Sequence, residues 1–121
     1  MSIHNILLVD DSKTELHYLS DLLGQRGFSV RTAEGGDEAL RQLADAKPDL
    51  ILMDVVMPGT NGFQLTRTIT RDPRYADIPV IMCTSKGQET DRVWGLRQGA
   101  RDYVVKPVDA EALMAKIQAL G

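Results

Sequence analysis

The chain of 121 residues is near the commonest size for one domain and long enough to build its own core. Its hydrophobic share of 43% and charged share of 26% are ordinary for a soluble globular protein. A net charge of −3 gives no electrostatic case for nucleic acid, and no stretch approaches the roughly 18 apolar residues needed for membrane insertion.

The amino terminus, Met1-Ser2-Ile3-His4-Asn5, has no basic region or cleavage site and enters an apolar run directly, so no secretory signal is expected. Ile6-Leu7-Leu8-Val9 reads as a first strand and stops at Asp10-Asp11. Asp11-Ser12 can cap a helix running to about Arg26, with Leu16, Leu19, Leu22 and Leu23 on one stripe. Gly27 stops it, and Phe28 to Thr32 is a short second strand. Gly35-Gly36 opens a second helix to about Ala46, carrying Ala39, Leu40 and Leu43 inward, until Lys47-Pro48-Asp49 breaks it.

Leu50-Ile51-Leu52-Met53 is a third strand and runs into Asp54; Met57-Pro58-Gly59-Thr60-Asn61-Gly62 is a turn-rich loop. A third helix spans about Gly62 to Thr70 and ends at Asp72-Pro73. Val80-Ile81-Met82-Cys83 is a fourth strand ending in Thr84-Ser85. Cys83 is the only cysteine, so no internal disulfide can form; a buried thiol and a reducing, cytoplasmic setting are expected. A fourth helix from about Gln88 to Gln98 places Val93 and Leu96 three residues apart, on one buried stripe. Trp94 is rotated about 100° from Val93 and is expected to face solvent. Tyr103-Val104-Val105 is a fifth strand that meets Lys106-Pro107, and a fifth helix from Asp109 to Leu120 turns Leu113, Ile117 and Leu120 inward.

Alternating strands and helices with short connections specify an α/β, doubly wound (βα)5 domain over residues 1–121. The second strand is the least apolar, which puts it at an edge and gives a flavodoxin-like parallel sheet of order 2-1-3-4-5. Ligands bind outside the carboxyl ends of such strands. Three carboxylates, a hydroxyl and an ammonium therefore converge there, from Asp10, Asp11, Asp54, Thr84 and Lys106. Crowded carboxylates repel unless a cation intervenes, and with no histidine or thiol cluster the all-oxygen set favours Mg²⁺. A carboxylate left free to attack phosphorus would become an aspartyl phosphate, with Thr84 and Lys106 contacting the transferred group.

These residues resemble the receiver domains of two-component response regulators, the CheY-like family, over essentially the whole chain. The resemblance implies that Asp10 and Asp11 hold Mg²⁺ and that the backbone carbonyl of Val56 joins Asp54 as a further ligand. It implies that Asp54 accepts a phosphoryl group from a histidine kinase, and that Thr84 and Lys106, before a typically cis Lys106-Pro107 bond, report it. Tyr103 falls at the position of a switch aromatic. Phosphorylation would draw Thr84 toward the site and open space for Tyr103 to turn inward, reshaping a surface made by the fourth helix, fifth strand and fifth helix. The positions that tune hydrolysis in this family are Val56 and Lys86, neither a water-positioning group, so slow loss of phosphate is expected. The stretch from Lys86 to Tyr103, with Met57 to Phe63, is similar to the single-domain regulators of type IV pilus twitching motility, the PilH group.

With nothing after Gly121, output is expected to be binding to an unidentified downstream protein, by a monomer that is not an enzyme in the ordinary sense. Trp94 and Tyr103 are candidate interface residues. Two alternatives share the class or fold: a phosphate sink for a shared kinase, and a phosphorylation-independent adaptor. A phosphatase of the haloacid-dehalogenase class would need an Asp-x-Asp pair after the first strand, which Asp10-Asp11-Ser12 does not supply. Nucleotide binding lacks its glycine-rich loop.

Overall fold

The structure is a computed structural model and describes residues 2–120. In chain order the elements are β1 (Asn5–Val9), α1 (Lys13–Gln25), β2 (Ser29–Ala33), α2 (Gly36–Asp45), β3 (Leu50–Met53), β4 (Val56–Met57), β5 (Thr60–Asn61), α3 (Gly62–Arg71), β6 (Val80–Thr84), α4 (Glu89–Arg97), β7 (Asp102–Val105) and α5 (Ala110–Leu120). Five strands form one parallel sheet in the order β2-β1-β3-β6-β7. With the short β4–β5 hairpin set aside, this is the expected 2-1-3-4-5 order.

Side chains along a strand point alternately to opposite faces, and here both faces are apolar. Leu7, Val9, Ile51, Met53, Val80 and Met82 pack on one side with Ala39, Leu43, Phe63 and Ile69 from α2 and α3. Ile6, Leu8, Leu50, Leu52, Ile81 and Cys83 pack on the other with Leu16, Leu19 and Leu23 of α1 and Leu113 and Ile117 of α5. This is the physical reason the strands read as unbroken apolar runs. No described helix is long and apolar enough to cross a membrane.

Local chemistry accounts for the starts of α1 and α3. Ser12 Oγ accepts a hydrogen bond from the Glu15 N–H, and Asn61 Oδ1 accepts from Phe63 and Gln64. Two expected inward positions are exposed instead. Leu40 is exposed because Ala39 and Leu43 already complete the inward stripe of α2. Val93 is exposed at 40%, because the residue α4 buries is Gly95.

The turn-rich loop after Asp54 is a tight hairpin, with Val56 paired to Asn61 and Met57 to Thr60. Gly59, after Pro58, has φ +70°, the left-handed conformation a Pro-Gly turn requires. Gly62 donates its N–H to the Val55 carbonyl at 2.8 Å. A Cβ there would run into the Asp54 carbonyl oxygen and stand 2.7 Å from Val55 Cα. Both obstacles are backbone, so neither can rotate away. Gly62→Ala is expected to destabilise the fold by about 2–4 kcal/mol; urea unfolding of the two proteins measures it, and a difference below about 1 kcal/mol would contradict the packing argument.

Candidate functional site

Strand register builds the site. Val9 pairs with Met53, so the residues that follow them, Asp10 and Asp54, leave adjacent strands side by side. The Asp54 N–H donates to the Val9 carbonyl at 2.9 Å, and the Asp10 N–H donates to Ala33 at 3.0 Å. Thr84 pairs with Val105, and the next residue, Lys106, donates its N–H to the Thr84 carbonyl at 2.9 Å. The Lys106-Pro107 bond is cis. Asp11, one residue beyond Asp10, is exposed at the rim.

Ligand oxygens of Asp10, Asp11 and Asp54 lie within 4.8 Å of one another. Lys106 Nζ is 2.6 Å from Asp10 Oδ2 and 3.7 Å from Asp54 Oδ2. The second oxygen of each buried carboxylate is held by backbone: Asp10 Oδ1 accepts from Ser12 at 2.9 Å, and Asp54 Oδ1 accepts from Val55 at 2.8 Å. Asp54 Oδ2 therefore lacks a backbone donor and faces the looser lysine contact. Val56 lies two residues beyond Asp54, in the hairpin, with its side chain exposed.

Burial, together with the neighbouring Asp10 charge, holds the Asp54 carboxyl above the ordinary value of 3.8, against the opposing pull of Lys106, the Thr84 hydroxyl and the Val55 N–H. Burial lowers the Lys106 pKa, but its hydrogen bond to Asp10 and the charges of Asp10 and Asp54 outweigh this, and the net direction is upward. The lysine stays charged at neutral pH. Burial pushes the Cys83 thiol up to about 12, so it behaves as the buried, unreactive group expected.

Tyr103 is 5% exposed and already inward, its hydroxyl donating to the Lys86 carbonyl at 2.6 Å. A Cβ on Gly95 would sit 3.2 Å from the Tyr103 ring, so the glycine itself makes the room. Sequence reasoning passed over Gly95. Its signal was a glycine inside a helix, which costs about 1 kcal/mol relative to alanine. Trp94 is apart from the strand-end cluster. It is 48% exposed and lines a groove with residues of α3. A separate cleft of about 320 Å³ lies far from the cluster, and Lys47 and Asp77 within it already pair at 3.2 Å.

A carboxyl whose folded pKa is raised binds its proton more tightly folded than unfolded. Its contribution therefore weakens the fold as pH rises from 3.8 through the raised value, and the full penalty persists above it. With divalent ions chelated, Asp54→Asn is expected to stabilise the protein at neutral pH by about 1 kcal/mol. The advantage should vanish at pH values well below the ordinary carboxylate value; urea midpoints measured across pH check both parts.

The Response regulator receiver domain family matches residues 6–118. Protein PilH of Pseudomonas aeruginosa is 53% identical over 115 residues, covering 95% of each chain. The phosphate regulon transcriptional regulatory protein PhoB of Escherichia coli is 42% identical over 95% of this chain, which spans 50% of PhoB. Among known structures, chemotaxis protein CheY4 of Vibrio cholerae superimposes with a TM-score of 0.91 at 31% identity, covering 99% of this chain and 100% of CheY4. Family match, sheet order and acidic strand-end cluster agree: the chain belongs to the response regulator receiver domain family.

Proposed function

We propose that the protein is a phosphoryl-accepting signalling switch, with Asp54 as acceptor and a histidine kinase as donor. The observation that carries this reading is Asp54 Oδ2, a buried carboxylate oxygen without a backbone donor, facing a lysine shared with Asp10. The donor set fits Mg²⁺: three carboxylates against one ammonium leave an excess of negative charge, and every ligand is an oxygen. Asp10, Asp11, Asp54 and the Val56 carbonyl would hold it. When bound, the ion would neutralise charge on the oxygens of the incoming phosphoryl group.

The step itself belongs to the side chains. Asp54 Oδ2 attacks phosphorus, an O–P bond forms, and the P–N bond of the donor phosphohistidine breaks. The bonding electron pair leaves with the imidazole nitrogen. Lys106, already 3.7 Å from Oδ2, pairs with a phosphoryl oxygen, and the Thr84 hydroxyl donates to another. The added charge of about −1.5 to −2 gives these two contacts their differential stabilisation, which is what shifts the conformational population. Tyr103 and the surface of α4, β7 and α5 form the output face, where a downstream protein binds. Phosphorylation would favour the arrangement in which Tyr103 lies inward.

The similarity to PilH supports a role in type IV pilus motility control. The buried, unpaired Cys83 is compatible with a cytoplasmic setting. Residues 1–121 are taken as one receiver domain.

Incubation with Mg²⁺ and a small phosphodonor, followed by intact-mass measurement, tests the acceptor. One phosphoryl mass is expected on the native protein and none on Asp54→Asn; equal gain in both, or none in either, defeats the assignment. The lifetime is a second test. With Val56 and Lys86 flanking the site, no side chain there positions an attacking water, and the phosphoryl group is expected to persist for minutes or longer without a phosphatase. A half-life of seconds would refute that part alone.

A further inference from the structure

Helices α3 and α4 flank an open groove of about 550 Å³, with Gln64, Arg67 and Thr68 along one wall and Trp94 and Gln98 along the other. Its exposed apolar feature is Trp94, 48% exposed beside the buried Phe63, and tryptophan is enriched among residues that dominate binding energy. Its one charged lining residue is Arg67, on α3. The sequence of α3, GFQLTRTITR, holds two arginines and no acid, in a chain whose net charge is −3. Arg67 and Arg71 are one helical turn apart and both exposed. Among the described residues neither guanidinium forms an ion pair, nor does that of exposed Arg97 on α4, whereas Arg26, Arg74 and Arg92 pair with Glu111, Asp72 and Glu89.

We propose that this groove is a docking site for an acidic helical segment of another protein, with an apolar side chain seated on Trp94 and carboxylates facing Arg67 and Arg71. A trough between two helices accepts a third helix laid along it, anchored at turn-spaced positions. Charge complementarity selects the acidic partner. The site lies apart from the strand-end carboxylates and does not depend on phosphoryl acceptance.

Trp94 is the chain's only tryptophan, so its emission reports the groove directly. Three synthetic helical peptides sharing one leucine-rich face, with acidic, neutral or basic polar faces, are titrated into the unphosphorylated protein. The acidic peptide is expected to shift Trp94 emission to the blue saturably. Amide shifts by NMR should cluster on α3 and α4, and Arg67→Glu should weaken binding by roughly tenfold or more. Arg67 is exposed, so the variant keeps its fold, which circular dichroism verifies. No saturable change with the acidic peptide, or equal response to the basic one, overturns the proposal. Shifts confined to the α4–β7–α5 face also overturn it. Concentration-dependent dimerisation without peptide, lost in Arg67→Glu, would assign the groove to a second copy of the chain instead.

Discussion

One ammonium holds two buried carboxylates together at the tips of adjacent strands. Lys106 stands 2.6 Å from Asp10 and 3.7 Å from Asp54, and without it like charges would face each other out of water. The parallel sheet imposes this situation, since pairing Val9 with Met53 sends both chains off the same edge one residue later. The same register that buries the apolar core thus crowds the acids, and β7 must lie next to β6 for the lysine to reach them. Fold and site are one constraint seen from two ends.

The conformational side of the molecule rests on a smaller contact. Gly95 lets α4 approach β7 closely enough for the Tyr103 ring to lie between them, and the Lys86 carbonyl takes its hydroxyl. The inward ring is satisfied in both its apolar body and its polar tip. The neighbouring residue, Trp94, looks toward α3, so α4 presents different chemistry to its two flanks.

Much of this was legible in the sequence because two periodicities coincide. Unbroken apolar runs such as Leu50 to Met53 can lie only in a sheet covered on both faces, and each run ended in a residue with chemistry, which located the site at the carboxyl edge. What failed were side-chain directions within helices. Val93 was read inward and Leu40 likewise, because an apolar residue in a helical window carries no mark of which neighbour will already fill the core. The packing roles of Gly95 and Gly62 were missed for a related reason. A glycine's importance lies in what approaches it, and those partners, Tyr103 and the Asp54 carbonyl, are distant in sequence or hidden in a turn.

The residues themselves determined the α/β class, the strand order, the positions of Asp10, Asp54, Thr84 and Lys106 at one edge, and the all-oxygen character of the acidic cluster. Those properties follow from residue type and spacing, which any chain of this pattern must obey. The tertiary structure alone decided which Asp54 oxygen lacks a backbone donor, that Tyr103 lies inward, and that Trp94 lines a groove with Arg67. Each is a matter of angles and distances between elements, and these emerge only when the helices settle against the sheet.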